Sequence, residues 1–468
     1  MKNHGMNPYL PSWEYVPDGE PHVFGKRVYV YGSHDRFAGY AFCQNDYVCW
    51  SAPVDDLTDW QYEGIIYTRA EAAHNEDGRQ CLYAPDVTCG PDGRYYLYYA
   101  LNETSAISVA VCDTPAGKYT YYGDVHYPDG TTLGARPGDE QQFDPGVLTE
   151  GKTTWLFCPP LMPGRTGALC YRLASDMLTV EQTYPAVVPG AQTAKGTGFE
   201  GHAFFEASSI RKVGDTYYFI YSSELSHELC YAVSDSPCRG FVYGGTLVDN
   251  ADLGLCDTAR YFTGNNHGSI EQINGRWYVF YHRHTNSSMF CRQGMVEPIE
   301  ILPDGRIPQV EITTSGPNGA PLPAVELREL PAYAACNLYM TQPPQVNAEA
   351  GQNPFPYITQ DGADVMPESE SKPEAYICNL TPGTVVGFKY LNFQNVTKVS
   401  VKTRGMCYYG GFDVLLTADG EPIGTVSAAR GNEWTWQTTE LAIPDGISAI
   451  YFRMKGYGTL SLAVVKFH

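Results

Sequence analysis

Long apolar runs are missing from this chain. No stretch of about 18 consecutive apolar residues occurs, which argues against a membrane-spanning helix. The opening residues, MKNHGMNPYLPSWEY, lack the apolar core and cleavage site of a secretory leader, so a cytoplasmic location is expected. Fourteen cysteines are present, yet none form CxxC pairs or show zinc-ligand spacing. Several, such as Cys158, Cys230 and Cys291, sit in strand-like runs where a free thiol acts as a small hydrophobe. Basic residues are scarce beside acidic ones, 31 against 52, for a formal net charge of −21. That balance argues against nucleic acid and anionic membrane surfaces as partners and suits a neutral ligand such as a sugar. Sustained amphipathic-helix periodicity is also scarce.

What is abundant is tyrosine (36), glycine (47) and proline (33), the composition of an all-β protein with many short strands and turns. One unit recurs five times. Gln141 to Gly146, QQFDPG, holds an Asp-Pro step and leads into VLTEGKTTWLFCPP. Asp18 precedes FGKRVYVYGSHD, Asp86 precedes DGRYYLYYAL, Glu206 precedes VGDTYYFIYSS, and His267 precedes INGRWYVFYHRH. Tyr29, Tyr96, Trp155, Tyr218 and Tyr278 occupy one reference position. Eleven residues before it lie Asp18, Pro85, Asp144 and His267, with Glu206 at twelve. A bulge would absorb that extra residue. The turns carry Gly25, Gly93, Gly151, Gly214 and Gly275, as hairpins needing positive φ require. Five such units predict a five-bladed β-propeller whose inner strands bring Asp18, Asp144, Glu206 and His267 to one axis. Asp86, at offset ten, falls on the other face of its strand and is expected to bond backbone within its own blade.

The chain is long enough for two domains. Residues 1–325 form the expected propeller, and 326–468 a linker and a β-sandwich of jelly-roll type. Between them Thr313 to Pro331, rich in Pro, Gly and Ala, reads as a linker or a surface-packed stretch. Alternating runs such as VVGFKYLNF, KVSVKTRG and TLSLAVVKF supply the sandwich strands.

Three carboxylates facing one channel repel, and one must hold its proton to unusually high pH. Glycoside hydrolysis uses that condition: one carboxylic acid protonates the leaving oxygen while an ionised carboxylate activates water or attacks carbon. A single acid is more often a turn or cap residue. The shared offset is what singles out Asp18, Asp144 and Glu206. His267 on the axis is read as binding an ion or water, against the ordinary alternative of a satisfied core histidine. Arg292, in FCRQG, is read as a hydrogen-bonding cation that reaches the site, against a surface strand residue.

The segments PDGEPHVFGKRVYVYGSHD, LYAPDV, QFDPGVL, FFEASSIRKVGDTYYFIYSS and NNHGSIEQINGRWYVFYHR resemble glycoside hydrolase family 43 over the first two thirds of the chain. The resemblance implies five-bladed propellers that hydrolyse arabinose- and xylose-containing polysaccharides with inversion. It makes Asp18 the general base, Asp144 the acid that tunes pKa and orients, and Glu206 the general acid. It departs at Asp18-Gly19, where the family usually shows Asp-Pro; Glu20-Pro21 offers a competing alignment, and the offset favours Asp18. Tyr83 stands where many members have Trp, as an aromatic floor for the sugar. Family members often hold calcium near the counterpart of His267, so a structural Ca2+ is expected there and no cofactor for the chemistry. The C-terminal part resembles a family 6 carbohydrate-binding module, with Tyr408, Tyr409, Trp434 and Trp436 available to stack on sugars; a purely structural partner to the propeller is the alternative favoured. The expected activity is an inverting exo-glycosidase releasing terminal α-L-arabinofuranosyl, and secondarily β-D-xylosyl, residues from oligosaccharides. A mainly β-xylosidase activity and a non-catalytic sugar-binding propeller are the alternatives.

Overall fold

The computed structural model describes residues 5–139, 142–159, 166–340 and 355–468; Gln141, at the head of the QQFDPG motif, lies outside the described residues. The protein is all-β, and among the described residues its only helical pieces are three-residue 3-10 turns. Five antiparallel sheets follow one another, each built from strands consecutive in the chain. The first contains Glu20–Phe24, Arg27–Tyr31, Tyr47–Pro53 and Gln61–Tyr67 (β1–β4). The second contains Asp86–Cys89, Tyr95–Ala100, Ile107–Cys112 and Thr120–Asp124 (β5–β8). The third contains Gly146–Glu150, Thr153–Cys158, Leu169–Leu173 and Val180–Tyr184 (β9–β12). The fourth contains Phe204–Val213, Thr216–Ser223, Glu228–Ser234 and Val242–Asp249 (β13–β16), and the fifth Ser269–Ile273, Arg276–His284 and Arg292–Ile299 (β17–β19).

The aromatic reference residues all lie on the second strand of their sheet, and the five turn glycines join first strand to second with φ between 60° and 83°. A Cβ there would meet nothing within 4 Å, so backbone conformation alone demands glycine. First strands touch in cyclic order: β1 meets β5, β5 meets β9, β9 meets β13, β13 meets β17, and β17 returns to β1. An apolar cluster fills each gap between neighbouring sheets. Tyr31, Tyr47, Leu97 and Tyr99 join the first to the second, and Phe157, Phe219 and Tyr221 the third to the fourth. Burying one such side chain stabilises by about 1.5–3 kcal/mol, so the repeated aromatic run serves each interface it faces. The N-terminal segment secures the last gap. Asn7 exchanges hydrogen bonds with Val296 of β19, and the Tyr9 ring packs between Trp60 and Phe280.

The remaining strands are Leu322–Pro323, Leu330–Pro331, Asn337–Tyr339, Tyr357–Gln360, Ala375–Leu380, Val385–Phe393, Lys398–Gly405, Cys407–Leu415, Gly424–Ser427, Gly431–Glu440, Gly446–Gly458 and Leu460–Phe467 (β20–β31). They make two six-stranded sheets, one with β20, β22, β25, β27, β28 and β30, the other with β21, β23, β24, β26, β29 and β31. Their inner faces share one core that includes Val386, Phe388, Phe412, Phe452, Leu462 and Val465. The stretch read as a linker is a working part of these sheets: β20 runs parallel to β25 and β21 pairs with β31. Its prolines tolerate this because each strand is only two residues long and lies at a sheet edge.

Candidate active site

Each candidate residue enters through a local backbone device. Asp18 and Asp144 stand just before β1 and β9 with φ of 56° and 39°, so each segment turns through the left-handed region before its strand begins. Non-glycine residues held there concentrate at functional sites. Glu206 lies inside β13 where the pairing with β14 shifts register on both sides of it, the expected bulge. Ala207, next to it, has φ of 66° and presents its backbone N–H to Asp144. Gly146 of the FDPG motif completes the fit, because a Cβ there would fall 2.3 Å from the Ser208 carbonyl oxygen.

These devices bring all six sequence-predicted residues to one cavity of about 230 Å³: Asp18, Tyr83, Asp144, Glu206, His267 and Arg292 line it. It is smaller than the ~300–1,000 Å³ usual for drug-sized ligands, a size that suits one sugar ring. Asp18 and Asp144 are buried, whereas Glu206 and Tyr83 are half-buried at the wall. The His267 imidazole faces both aspartates, with Nδ1 3.7 Å from Asp18 Oδ1 and 3.8 Å from Asp144 Oδ2.

The two aspartates have opposite electrostatics. Burial alone would raise the Asp18 pKa, but Arg292, His282 and His267 outweigh it and hold the carboxyl far below the usual range. Arg292 Nη1 donates to Oδ1 at 2.9 Å, and Ser33 Oγ donates to Oδ2 at 2.5 Å. His282 Nδ1 lies 3.1 Å from Oδ1 and 3.2 Å from the Asp18 backbone nitrogen, so by its tautomer it either donates to the carboxylate or accepts from the N–H. Asp144 is pushed well above the carboxylate range, first by burial, then by the charges of Glu206 and Asp18. His267 is lowered to about 4, chiefly by burial, and is neutral near pH 7. An always-ionised carboxylate and a proton-retaining carboxyl share one small cavity.

A family model for glycosyl hydrolases family 43 matches residues 15–307, more than half of the chain. The chain belongs to glycoside hydrolase family 43. A xylosidase/arabinosidase of Thermoclostridium stercorarium is 54% identical over 473 residues, covering 99% of this chain and 98% of that protein. A second, from Bacteroides ovatus, is 30% identical over 347 residues, covering 65% of this chain and 97% of the relative. In fold, this family 43 chain is similar to an arabinoxylan arabinofuranohydrolase from Bacillus subtilis solved with cellotetraose (TM-score 0.52, 20% identity, 99% of this chain and 97% of that one). It is likewise similar to a β-xylosidase/α-arabinofuranosidase from a compost metagenome, solved with xylotriose in a calcium-free form (TM-score 0.52, 24% identity, 66% and 98%).

Several site features of this family 43 enzyme escaped sequence reasoning. Phe42, Cys43, Asn102, Phe143 and Asn265 also line the cavity. Phe42 carried no sequence signal, since its loop lies outside the repeat. Asp35 ends YVYGSHD and His282 lies two residues before the end of WYVFYHRH, so the recurring strand pointed to their neighbourhood without assigning them a task. Arg292 does reach the site as a hydrogen-bonding cation, and Asp35 holds it there: Nε and Nη2 donate to Asp35 at 2.8 and 3.0 Å, leaving Nη1 on Asp18. Arg292 lines the cavity mainly as an internal clamp.

Asp86 needs correction. It does not line the cavity, but its reach extends beyond its own sheet. It accepts from Val87 N and from Val147 N of the third sheet, both at 2.7 Å, and pairs with His22 of the first. With Glu20 and His22 it forms one of two groups, among the described residues, whose three potential ligand atoms lie within 4.8 Å of one another; the other is His202, Glu228 and Cys230. His267 belongs to neither group, though it offers a neutral imidazole facing two carboxylates. In the C-terminal sheets, Trp434 is already packed against Tyr376 and Arg404, and Arg430 covers the Tyr408 ring. Tyr409 is 90% exposed.

Proposed function

We propose that this family 43 enzyme is an inverting exo-glycosidase that releases terminal α-L-arabinofuranosyl and β-D-xylosyl residues from neutral arabinoxylan- or arabinan-derived oligosaccharides. The observation that carries this reading is the opposed protonation preference of Asp18 and Asp144 in a cavity of one-sugar size, with Glu206 on the same wall. The relatives named xylosidase/arabinosidase support both sugars. On this reading the five cyclic sheets are the blades of a five-bladed propeller, and the two six-stranded sheets a β-sandwich that acts chiefly as its structural partner. The domain division proposed is 1–325 and 326–468, with β20 at Leu322–Pro323 paired into the C-terminal sheets. The fourteen free thiols suit a reducing compartment such as the cytoplasm.

In the mechanism Glu206 donates its proton to the glycosidic oxygen as the bond to the anomeric carbon breaks. A water attacks that carbon from the opposite face and gives its proton to Asp18, so that the product carries inverted configuration. Asp144, held by the Ala207 N–H, and Glu206 repel each other as carboxylates, so the pair retains a proton that Glu206 can donate. Arg292 and Ser33 orient Asp18; Tyr83 and Phe42 supply apolar walls. The carboxyl oxygens of Asp18 and Asp144 that face His267 are the donor type a hard cation takes, and we propose His267 as the residue that would hold calcium beside them. When bound, that ion would supply only positive charge to an acidic channel. Tests are release of nitrophenol from arabinofuranoside and xylopyranoside, side by side, and proton NMR of the first-formed anomer. Activity on xylopyranoside alone would establish the β-xylosidase alternative, and binding without turnover the non-catalytic one. First appearance of the retained anomer would overturn inversion.

A further inference from the structure

The cavity wall contributed by residues 37–45 is not held by the catalytic part alone. Phe42 and Cys43 of this segment line the cavity, and Arg292 sits over the Phe42 ring at 4.6 Å. Inside the segment, Tyr40 N donates to Gln44 Oε1 and Cys43 N to Asp35 Oδ1, each at 2.9 Å. Its two ends are joined by a residue more than three hundred positions away. Asp364 Oδ1 accepts from Phe37 N at 2.8 Å, and Asp364 Oδ2 accepts from Asn45 Nδ2 at 3.2 Å. The same Asn45 Nδ2 reaches the Asp35 carbonyl at 3.1 Å, so the clasp continues into the residue that clamps Arg292.

Asp364 is itself fixed. It follows β23, whose Ile358 N donates to Thr285 O at 2.8 Å and whose Ile358 O accepts from Asn286 Nδ2 at 3.0 Å. Beyond it, Lys372 donates to the Met366 and Pro367 carbonyls at 2.7 and 2.6 Å and lies over the Trp13 ring at 4.2 Å. A carboxylate hydrogen bond to backbone N–H is among the stronger kinds, and here one carboxylate makes contact at both ends of a loop whose middle carries an 83% exposed Tyr40.

We propose that Asp364 is a positioning residue of the active site, supplied by the C-terminal part of the chain: by closing the neck of the 37–45 loop it holds Phe42 and Cys43 against the bound sugar. This rests on reading the cavity as the sugar site. Asp364 touches neither the substrate nor the reacting groups, so its loss should weaken ground-state and transition-state binding alike and appear in KM rather than kcat.

The test compares wild type, Asp364→Ala, Asp364→Asn and Asp419→Ala. Asp419 is a control at another contact between the same two parts, where it pairs with Arg260 at 2.8 Å while 80% exposed. Steady-state kinetics on the nitrophenyl glycosides should show KM raised about tenfold in Asp364→Ala with kcat within about twofold. Asp364→Asn keeps an acceptor for Phe37 N and should recover most of the loss; Asp419→Ala should match wild type. A second readout does not depend on activity. Arg36 is exposed, and the amide that follows it is the Phe37 N–H held by Asp364. Limited trypsin digestion should therefore release a fragment beginning at Phe37 faster from Asp364→Ala alone. Unchanged KM, or raised KM without faster cleavage at Arg36, overturns the proposal. If wild type hydrolyses neither glycoside, the functional reading fails. The brace is then judged by trypsin, with unchanged cleavage overturning it.

Discussion

Arg292 and Asp18 meet at 2.9 Å in the buried centre of the candidate active site, and the other arm of the same guanidinium is locked to Asp35. The proposed base is therefore prepared by a cation that is itself prepared, through a fork only arginine can make. Asp18 lies 274 residues from Arg292 in sequence, and the closing of first sheet against fifth is what joins them.

Arg292→Lys should expose this arrangement. Lysine keeps a charge but not the fork, so Asp35 or Asp18 loses its partner; breaking a buried pair outright costs about 3–5 kcal/mol. We expect a Tm several degrees lower and kcat/KM reduced by about 10²-fold or more. Because the Asp18 pKa is depressed, its stabilising contribution is present above the unfolded-state pKa and is lost as pH falls through the folded one. Weakening Arg292 raises the folded value, so the acid limb of the pH–rate profile should move to higher pH. An unmoved limb would mean that Arg292 does not set the charge state of Asp18.

Glu206→Gln should act selectively. Removing a general acid costs about 10²–10⁴-fold where the leaving group needs protonation. The loss should be large on oligosaccharides and much smaller on a dinitrophenyl glycoside. Equal losses on both would give Glu206 a role in binding instead.

His34 predicts a pH dependence of stability that is separate from catalysis. Its Nε2 lies 2.9 Å from Glu14 Oε1 and its Nδ1 2.8 Å from the Asp46 carbonyl, so the imidazolium has an acceptor on each side. Burial lowers its pKa, but Glu14 and these hydrogen bonds outweigh burial and leave it raised. The contribution is then fully present below the unfolded value near 6.5 and is lost as pH rises through the folded value. Thermal melts of wild type and His34→Gln should differ more at pH 6 than at pH 9. A gap that is constant across this range would show that His34 is neutral in the fold.

For calcium, thermal melts with chelator and with added ion are the measurement. A cation that binds only the folded state stabilises by about 2.7 kcal/mol at a hundredfold excess over Kd. Chelator should lower Tm modestly, calcium should restore it, and His267→Ala should abolish the response. A response that survives His267→Ala would move the ion to Glu20, His22 and Asp86.

Local repetition made much of this protein legible before folding. Alternation and turn glycines specify strands and hairpins one unit at a time, since both act over a few residues. Because five units repeat, a constant offset from the second-strand aromatic placed Asp18, Asp144, Glu206 and His267 in one cavity, bulge included. Only the tertiary structure decided what surrounds them. Asp35, Phe42 and His282 gain their roles from ring closure, which joins first sheet to fifth across most of the chain. Asp364 gains its role from the docking of the C-terminal sheets. Asp86 shows the same divide: its strand face was readable, but its bond to Val147 depends on how closely the third sheet approaches. The Pro-rich stretch after Thr313 had the composition of a linker, and only pairing with β25 and β31 made parts of it strand. Period and offset are properties of neighbouring residues, whereas charge state and loop position come from partners that the chain brings near only when it closes.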